Sequence, residues 1–83
     1  MKLANYVKFR EEKFGGVLFE TRSEKVYALN PTAAAVVREI EAGRDEGDIV
    51  QRLRERYRDP GGTIEREAAT FITDLRQKKL VQD

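Results

Sequence analysis

Residues 25–37 read KVYALNPTAAAVV, and the hydrophobic period changes in the middle of them. Before the Asn30-Pro31 pair the apolar side chains alternate loosely, as on a strand, and after it they recur at helical spacing. Pro31 has φ already near the helical value and lacks only an N–H that a first helical turn leaves unpaired, which suits it to the first helical position. Asn30 is then the N-cap. A residue before proline is biased toward extended φ/ψ, so Asn30 ends the strand while its side-chain oxygen caps the helix. The pair reads as a joint of fixed angle between a strand, residues 25–29, and a helix over about residues 31–42. That helix is expected to bury Ala33, Val36, Val37 and Ile40 and to stop at Gly43.

Upstream, VKFREEK at residues 7–13 puts Val7 and Phe9 on one side and Lys8 and Arg10 on the other, as on a half-exposed strand. Residues 17–21 and 25–29 are two further apolar runs separated by Arg22, Ser23 and Glu24, a hairpin pattern. Gly15 and Gly16 fall between the first two runs, where a turn uses positive φ without a Cβ penalty. A phosphate-cradling loop would need a Lys-Ser/Thr pair and a helix start next, and neither follows. The result is three consecutive antiparallel strands.

Downstream, a second helix starts at an Asp45 cap, with Asp48 as a weaker capping-box acid and Ile49, Val50, Leu53 and Tyr57 as its apolar residues. DPGG, residues 59–62, breaks the chain. Thr63 is expected to cap a third helix ending near residue 78, with Ile64, Ala68, Phe71 and Leu75 as its main stripe. Ala69 and Ile72 widen that stripe on one side, which suits either a broad core contact or one wall of a groove. No repeat, low-complexity tract or linker interrupts the order of strands then helices. The expected fold is a single α+β domain over residues 1–83, winged-helix-like, with a three-stranded antiparallel sheet followed by three helices.

At 83 residues a single core gives marginal stability and leaves little room for an enclosed active site. With 16 Lys+Arg against 15 Asp+Glu, the formal charge of +1 makes no sequence-wide field toward phosphate backbones or anionic lipid. The absence of Cys excludes disulfides and thiolate metal sites, and the absence of His removes the commonest metal ligand and neutral-pH proton shuttle. Glu11, Glu12 and Glu20 lack a convergent third group and read as solvated strand charges. No catalytic residue, cofactor or metal is expected. With no apolar core of signal-peptide length and no run near the ~20 residues of a bilayer span, the expected location is cytoplasmic, without a membrane partner.

RLRERYR, residues 52–58, invites a nucleic-acid reading because arginine binds phosphate and pairs bidentately with guanine. Arg52 and Arg56 lie one turn apart with Glu55 between their rows, which equally describes the solvent side of an amphipathic helix. The third helix opens TIEREAA, where Glu65 and Glu67 would repel phosphates while favouring the helix's own positive N-terminal dipole. A winged-helix DNA-binding transcriptional regulator is therefore the alternative reading, and no nucleic-acid partner is expected.

VLFE, KVYALNPTAAAVV, the IEAGRDEGDIVQRL helix start and the closing FITDLRQKKLV together resemble the PqqD-like family of peptide chaperones, also called RiPP recognition elements. RiPPs are ribosomally synthesised, post-translationally modified peptides. The resemblance spans about residues 7–81 and is most specific at the strand-to-LNPTA junction. It implies a non-catalytic domain that binds the leader segment of a precursor peptide and presents it to a modifying enzyme, often a radical S-adenosylmethionine protein. It also implies that the leader adds to the edge of the third strand and lies against the third helix. The edge would be Lys25, Val26, Tyr27, Ala28 and Leu29, and the helical wall would include Ala69, Ile72 and Arg76. An exposed edge strand is an aggregation liability, yet its unpaired N–H and C=O groups are what an extended peptide can satisfy. An adaptor that docks two proteins without a precursor is a further alternative.

Overall fold

The computed structural model describes residues 1–58 and 61–83. In chain order its elements are β1 (Lys2–Leu3), β2 (Val7–Glu12), β3 (Gly15–Glu20), β4 (Lys25–Leu29), α1 (Pro31–Glu41), α2 (Glu46–Tyr57), α3 (Thr63–Gln77) and β5 (Val81–Gln82). The joint between β4 and α1 forms as its chemistry requires. Asn30 is extended, at φ −73° and ψ 172°. Its Oδ1 accepts the Ala33 N–H at 2.8 Å, and its carbonyl accepts the Ala34 N–H at 2.9 Å.

β2, β3 and β4 form one antiparallel sheet in that order. Phe9 stands opposite Leu18, and Leu18 opposite Tyr27. The period of two sends Val7, Leu18 and Leu29 to a buried inner face that α1 covers. The glycine pair does not make the β2–β3 turn as expected. Lys13 and Phe14 make it, and Gly15 and Gly16 open β3. The physical reason is space: a Cβ on Gly15, which has φ +142°, would lie 2.2 Å from the Leu29 carbonyl oxygen and 2.6 Å from the Asn30 carbonyl carbon. A Cβ on Gly16 would meet the Phe9 ring at 2.6 Å. These glycines let the backbone of β3 approach the joint.

A second sheet adds to the expected three strands. β1 pairs antiparallel with β5, Lys2 opposite Gln82 and Leu3 opposite Val81. The Ala4 N–H donates to the Leu80 carbonyl at 2.9 Å, and the Tyr6 hydroxyl donates to the Lys79 carbonyl at 2.5 Å. The two chain ends thereby close over the core through Ala4 and Leu80, both buried.

The helices pack with small shifts from their expected faces. α1 buries Ala34, Ala35, Val36, Val37 and Ile40, whereas Ala33, expected inside, is only half-buried. Asp45 caps α2, its Oδ1 accepting the Asp48 N–H at 2.9 Å. The buried face of α2 is Ile49 and Leu53, and Tyr57 at its end is 38% exposed. α3 buries Ala68, Ile72 and Leu75, while Ile64 and Phe71 sit half-buried at its flanks. Thr63 is the first residue of α3 and not its cap. Gly62 takes the N-cap position at φ 70° without a side-chain cap bond, and the Arg66 guanidinium donates to the Gly61 carbonyl at 3.1 Å. Asp59 and Pro60 of the expected chain break lie outside the described residues.

Charged side chains tie the helices together. The buried Glu39 of α1 accepts through one oxygen from Arg44 at 2.9 Å and from Arg52 of α2 at 2.8 Å. Burial opposes ionisation of this carboxyl, but the hydrogen bonds and charges of Arg52 and Arg44 outweigh it and hold its pKa below the usual carboxylate value. Arg54 of α2 pairs with Glu65 of α3. Two arginines of the RLRERYR run thus serve helix packing. Glu11 pairs with Arg38 at 2.6 Å, Glu12 with Arg10 at 2.7 Å, and Glu20 accepts from Ser23 at 2.6 Å. Among the described residues no group of three or more His, Cys, Asp or Glu could hold a metal ion. No helix among them is long and apolar enough to cross a membrane.

Candidate functional site

β4 pairs with β3 on one side, and its other side has no strand among the described residues. Its outward N–H and C=O groups are therefore a template for an added strand. Lys25, Val26 and Ala28 are exposed, Tyr27 is half-buried and Leu29 is buried. At Asn30, where β4 ends, an open groove of about 950 Å³ begins between α1 and α3. Asn30, Thr32, Ala33 and Val36 line one wall, and the other is the α3 face that carries Arg66, Ala69, Thr70, Thr73 and Gln77.

Two alanines make the space. Ala33 and Ala69 stand on facing helices where longer side chains would fill the gap, and Phe71 and Val36 add apolar surface. Arg66, Glu67 and Asp74 supply charge around the apolar part, with Asp74 accepting from Lys78 at 2.6 Å. The volume lies at the upper end of the ~300–1,000 Å³ typical of small-ligand clefts. An open trough of this size beside a strand edge suits an extended chain. Among the described residues, the groups with shifted pKa values, Glu39, Arg76 and Asp83, all lie outside the groove lining.

The structure brings some of the expected site residues together and separates others. Lys25, Val26, Tyr27, Ala28 and Leu29 form β4, one of the edge strands of the β2–β3–β4 sheet, and Ala69 lines the groove. Ile72 does not reach it. Ile72 falls in the same helical row as Ala68 and Leu75, and at 0% exposure it belongs to the core. Arg76 continues that row beyond the core, where it pairs with Glu46 of α2 and with Asp83 at 3.1 Å. Hydrogen bonds to Asp83 and Glu46 raise its pKa, and the same contact lowers that of Asp83. Arg76 thus fastens α3 to α2 and to the chain end. Sequence reasoning missed Ala33, Arg66, Thr70 and Thr73. The repeat of residues 66, 70, 73 and 77 at helical spacing marks their common row, but its polarity disguised it as a solvated face.

Two solved structures share this fold. One, described as lasso peptide synthetase B1 complexed with the leader peptide, matches with a TM-score of 0.80 and 27% identity over 99% of this chain and 96% of that one. The other, TbiB1 in complex with the TbiA(beta) leader peptide, matches with a TM-score of 0.83 and 22% identity over 100% of both chains. No individually curated protein matches the sequence. The family model described as Coenzyme PQQ synthesis protein D (PqqD) matches residues 15–81. That span runs from the glycine pair of β3 to β5 and contains the joint, the edge strand and the groove. The chain belongs to the PqqD family.

Proposed function

We propose that this chain binds the leader segment of a ribosomally made precursor peptide and presents it to a modifying enzyme, with no catalytic step of its own. The observation that carries this reading is the unpaired edge of β4 running into a groove kept open by Ala33 and Ala69. The leader adds as a fourth strand along Lys25–Leu29, and backbone pairing supplies affinity that does not depend on leader sequence. Leader side chains that enter the groove supply the specificity. Ile72 supports the groove from the core, and Arg76 holds α3 in place behind it. Membership of the PqqD family and likeness to two structures described with leader peptides support this reading. The partner enzyme is a radical S-adenosylmethionine protein or, as the likeness at 27% identity favours, another component of a lasso peptide synthetase. Both act in the cytoplasm, where a ribosomal precursor is made.

The test is a fluorescence-anisotropy titration with a synthetic leader peptide taken from a short precursor reading frame sought near this chain's gene. The unsubstituted chain binds it, and Ala69→Glu stays folded by circular dichroism yet binds at least ~10-fold more weakly, about 1.4 kcal/mol. A carboxylate placed in the apolar part of the groove must be desolvated when the leader docks. Full affinity in Ala69→Glu would move the site elsewhere.

A further inference from the structure

Three turns of the chain meet at one side chain. Tyr6 sits in the turn between β1 and β2, which the Val7 N–H closes on the Ala4 carbonyl at 3.0 Å. Its hydroxyl donates to the Lys79 carbonyl in the turn between α3 and β5. Its ring lies under the Arg22 guanidinium, which is 3.5 Å from the ring centre. The Tyr6 carbonyl accepts the Thr21 N–H at 2.8 Å and the Thr21 hydroxyl at 3.1 Å, and Thr21 and Arg22 open the turn between β3 and β4. Half-buried and packed against the core, Tyr6 is a fixed post for the other two turns.

The β3–β4 turn depends on such a post more than the α3–β5 turn does. Three non-glycine residues have positive φ among the described residues, and two of them, Glu24 at 62° and Lys79 at 60°, lie in these two turns. A residue with a Cβ keeps that conformation only where surrounding contacts enforce it. Lys79 is enforced by the end of α3, where the Leu80 N–H reaches the Leu75 carbonyl at 2.9 Å and the Lys79 N–H reaches the Arg76 carbonyl at 3.0 Å, the Schellman pattern. Glu24 has only local ties. The Ser23 hydroxyl donates to Glu20 at 2.6 Å, and the Lys25 N–H reaches the Ser23 oxygen at 3.4 Å. What joins this turn to the rest of the fold is the contact of Thr21 and Arg22 with Tyr6. Glu24 directly precedes Lys25, the first residue of β4.

We infer that Tyr6 is a positioning residue for leader binding: with Arg22 it holds the β3–β4 turn, so that the first residues of β4 are already extended when a peptide pairs with them. The inference rests on the proposed leader addition along β4. A strand that must be ordered at the moment of binding weakens affinity by the free energy of that ordering, and a turn fixed beforehand removes the loss. The two ends of the side chain divide the work. Through Lys79 the hydroxyl ties the chain ends, and through Arg22 the ring serves the edge strand. Tyr6 lies before residues 15–81, the span that the PqqD model matches.

The experiment combines amide exchange in the free chain with anisotropy against the synthetic leader peptide of the titration above. The proteins are the unsubstituted chain, Tyr6→Phe, Tyr6→Leu, Arg22→Gln and the double substitution Tyr6→Leu, Arg22→Gln. The Thr21 N–H, bonded to the Tyr6 carbonyl, reports the turn, and the Ala4 N–H, bonded to the Leu80 carbonyl, reports the chain ends. The conservative Tyr6→Phe keeps the ring, and it should speed exchange at Ala4 while Thr21 exchange and leader affinity stay as they were. Arg22→Gln should speed exchange at Thr21 and Lys25, leave Ala4 as it was, and bind leader ~3–5-fold more weakly, the range of an exposed cation–π contact. Tyr6→Leu should weaken binding to the same degree, and the double substitution no further, because both act through one stack. The Arg22 side chain is 63% exposed, so Arg22→Gln carries the test should Tyr6→Leu not fold. Unchanged leader affinity in Arg22→Gln overturns the inference and leaves leader binding at β4 standing. Weaker binding with Thr21 exchange unaltered, or losses that add in the double substitution, also overturns it and makes Arg22 a direct contact of the leader. Failure of the unsubstituted chain to bind the leader peptide overturns the leader reading and this inference with it.

Discussion

Gly15 occupies a position where a single methyl group has no room. Its Cβ would stand 2.2 Å from the Leu29 oxygen, 2.6 Å from the Asn30 carbon and 2.8 Å from the Asn30 oxygen. All three are backbone atoms of the joint and none can swing aside. The φ of +142° adds conformational strain of roughly 1–3 kcal/mol, and overpacking adds a further ~1–3 kcal/mol. A domain of this length is stable by about 4–12 kcal/mol at roughly 0.05–0.15 kcal/mol per residue, so Gly15→Ala removes a large share of it. Since about 1 kcal/mol shifts Tm by roughly 4–8 °C in a domain of this size, the midpoint falls by at least ~8 °C. Gly43 separates the two causes. It also has positive φ, +86°, but nothing among the described residues lies within 4 Å of its Cβ position. Gly43→Ala therefore carries conformational strain alone, about 1–2 kcal/mol. Gly47 lies in the first turn of α2 with its nearest contact at 3.6 Å, and Gly47→Ala gains about 0.5 kcal/mol from helix propensity. Thermal melts by circular dichroism under one buffer condition should rank the midpoints Gly47→Ala, unsubstituted, Gly43→Ala, Gly15→Ala from high to low. Equal losses at Gly15 and Gly43 would refute the close packing of β3 against the joint.

The double substitution Asn30→Ala, Pro31→Ala removes the cap on the Ala33 N–H and frees the unfolded chain, for a loss of about 1.5–2 kcal/mol in urea melts. An unchanged denaturant midpoint would mean that α1 is capped by another group. Glu39 has its folded pKa lowered by Arg52 and Arg44 against the opposing effect of burial. Its contribution is therefore complete above the pKa the carboxyl has in the unfolded chain and is lost as pH falls through the lowered folded value. Urea melts across that acid window should show a shallower decline in Glu39→Gln than in the unsubstituted chain, and an equally steep decline would place the acid sensitivity elsewhere.

Features fixed by neighbouring residues were legible in the sequence. The Asn30-Pro31 joint, the bounds of β4 and the Asp45 cap each depend on chemistry within a few residues, and each forms as read. Features that depend on distant partners were not. β1 and β5 are two residues each, too short to carry a period, and exist only because the chain ends meet. Gly15 looked like a turn glycine because its real neighbour, the Leu29 carbonyl, is far along the chain. In α3 the apolar residues spread widely around the helix, and only the packing of α1 and α2 decides that Ile72 is innermost and Phe71 peripheral. Arg76 reads as a groove charge until Glu46, 30 residues away, claims it. Glu39 lies one turn from Val36 on α1, but the sequence does not show that its carboxylate is buried, because the Arg44 and Arg52 side chains that make this tolerable come from outside the helix.

Amide hydrogen exchange and chemical shifts, recorded on the labelled chain with and without the synthetic leader peptide of the titration, test leader addition at β4 most directly. In the free chain the amides of Lys25–Leu29 that face away from β3 have no strand partner among the described residues and should exchange fast. With the leader peptide bound, these amides should slow, and shift changes should concentrate in β4 and at Ala33, Ala69, Thr70 and Phe71, with little change along α2. Unaltered exchange in β4, with shift changes confined to α2, would contradict the account.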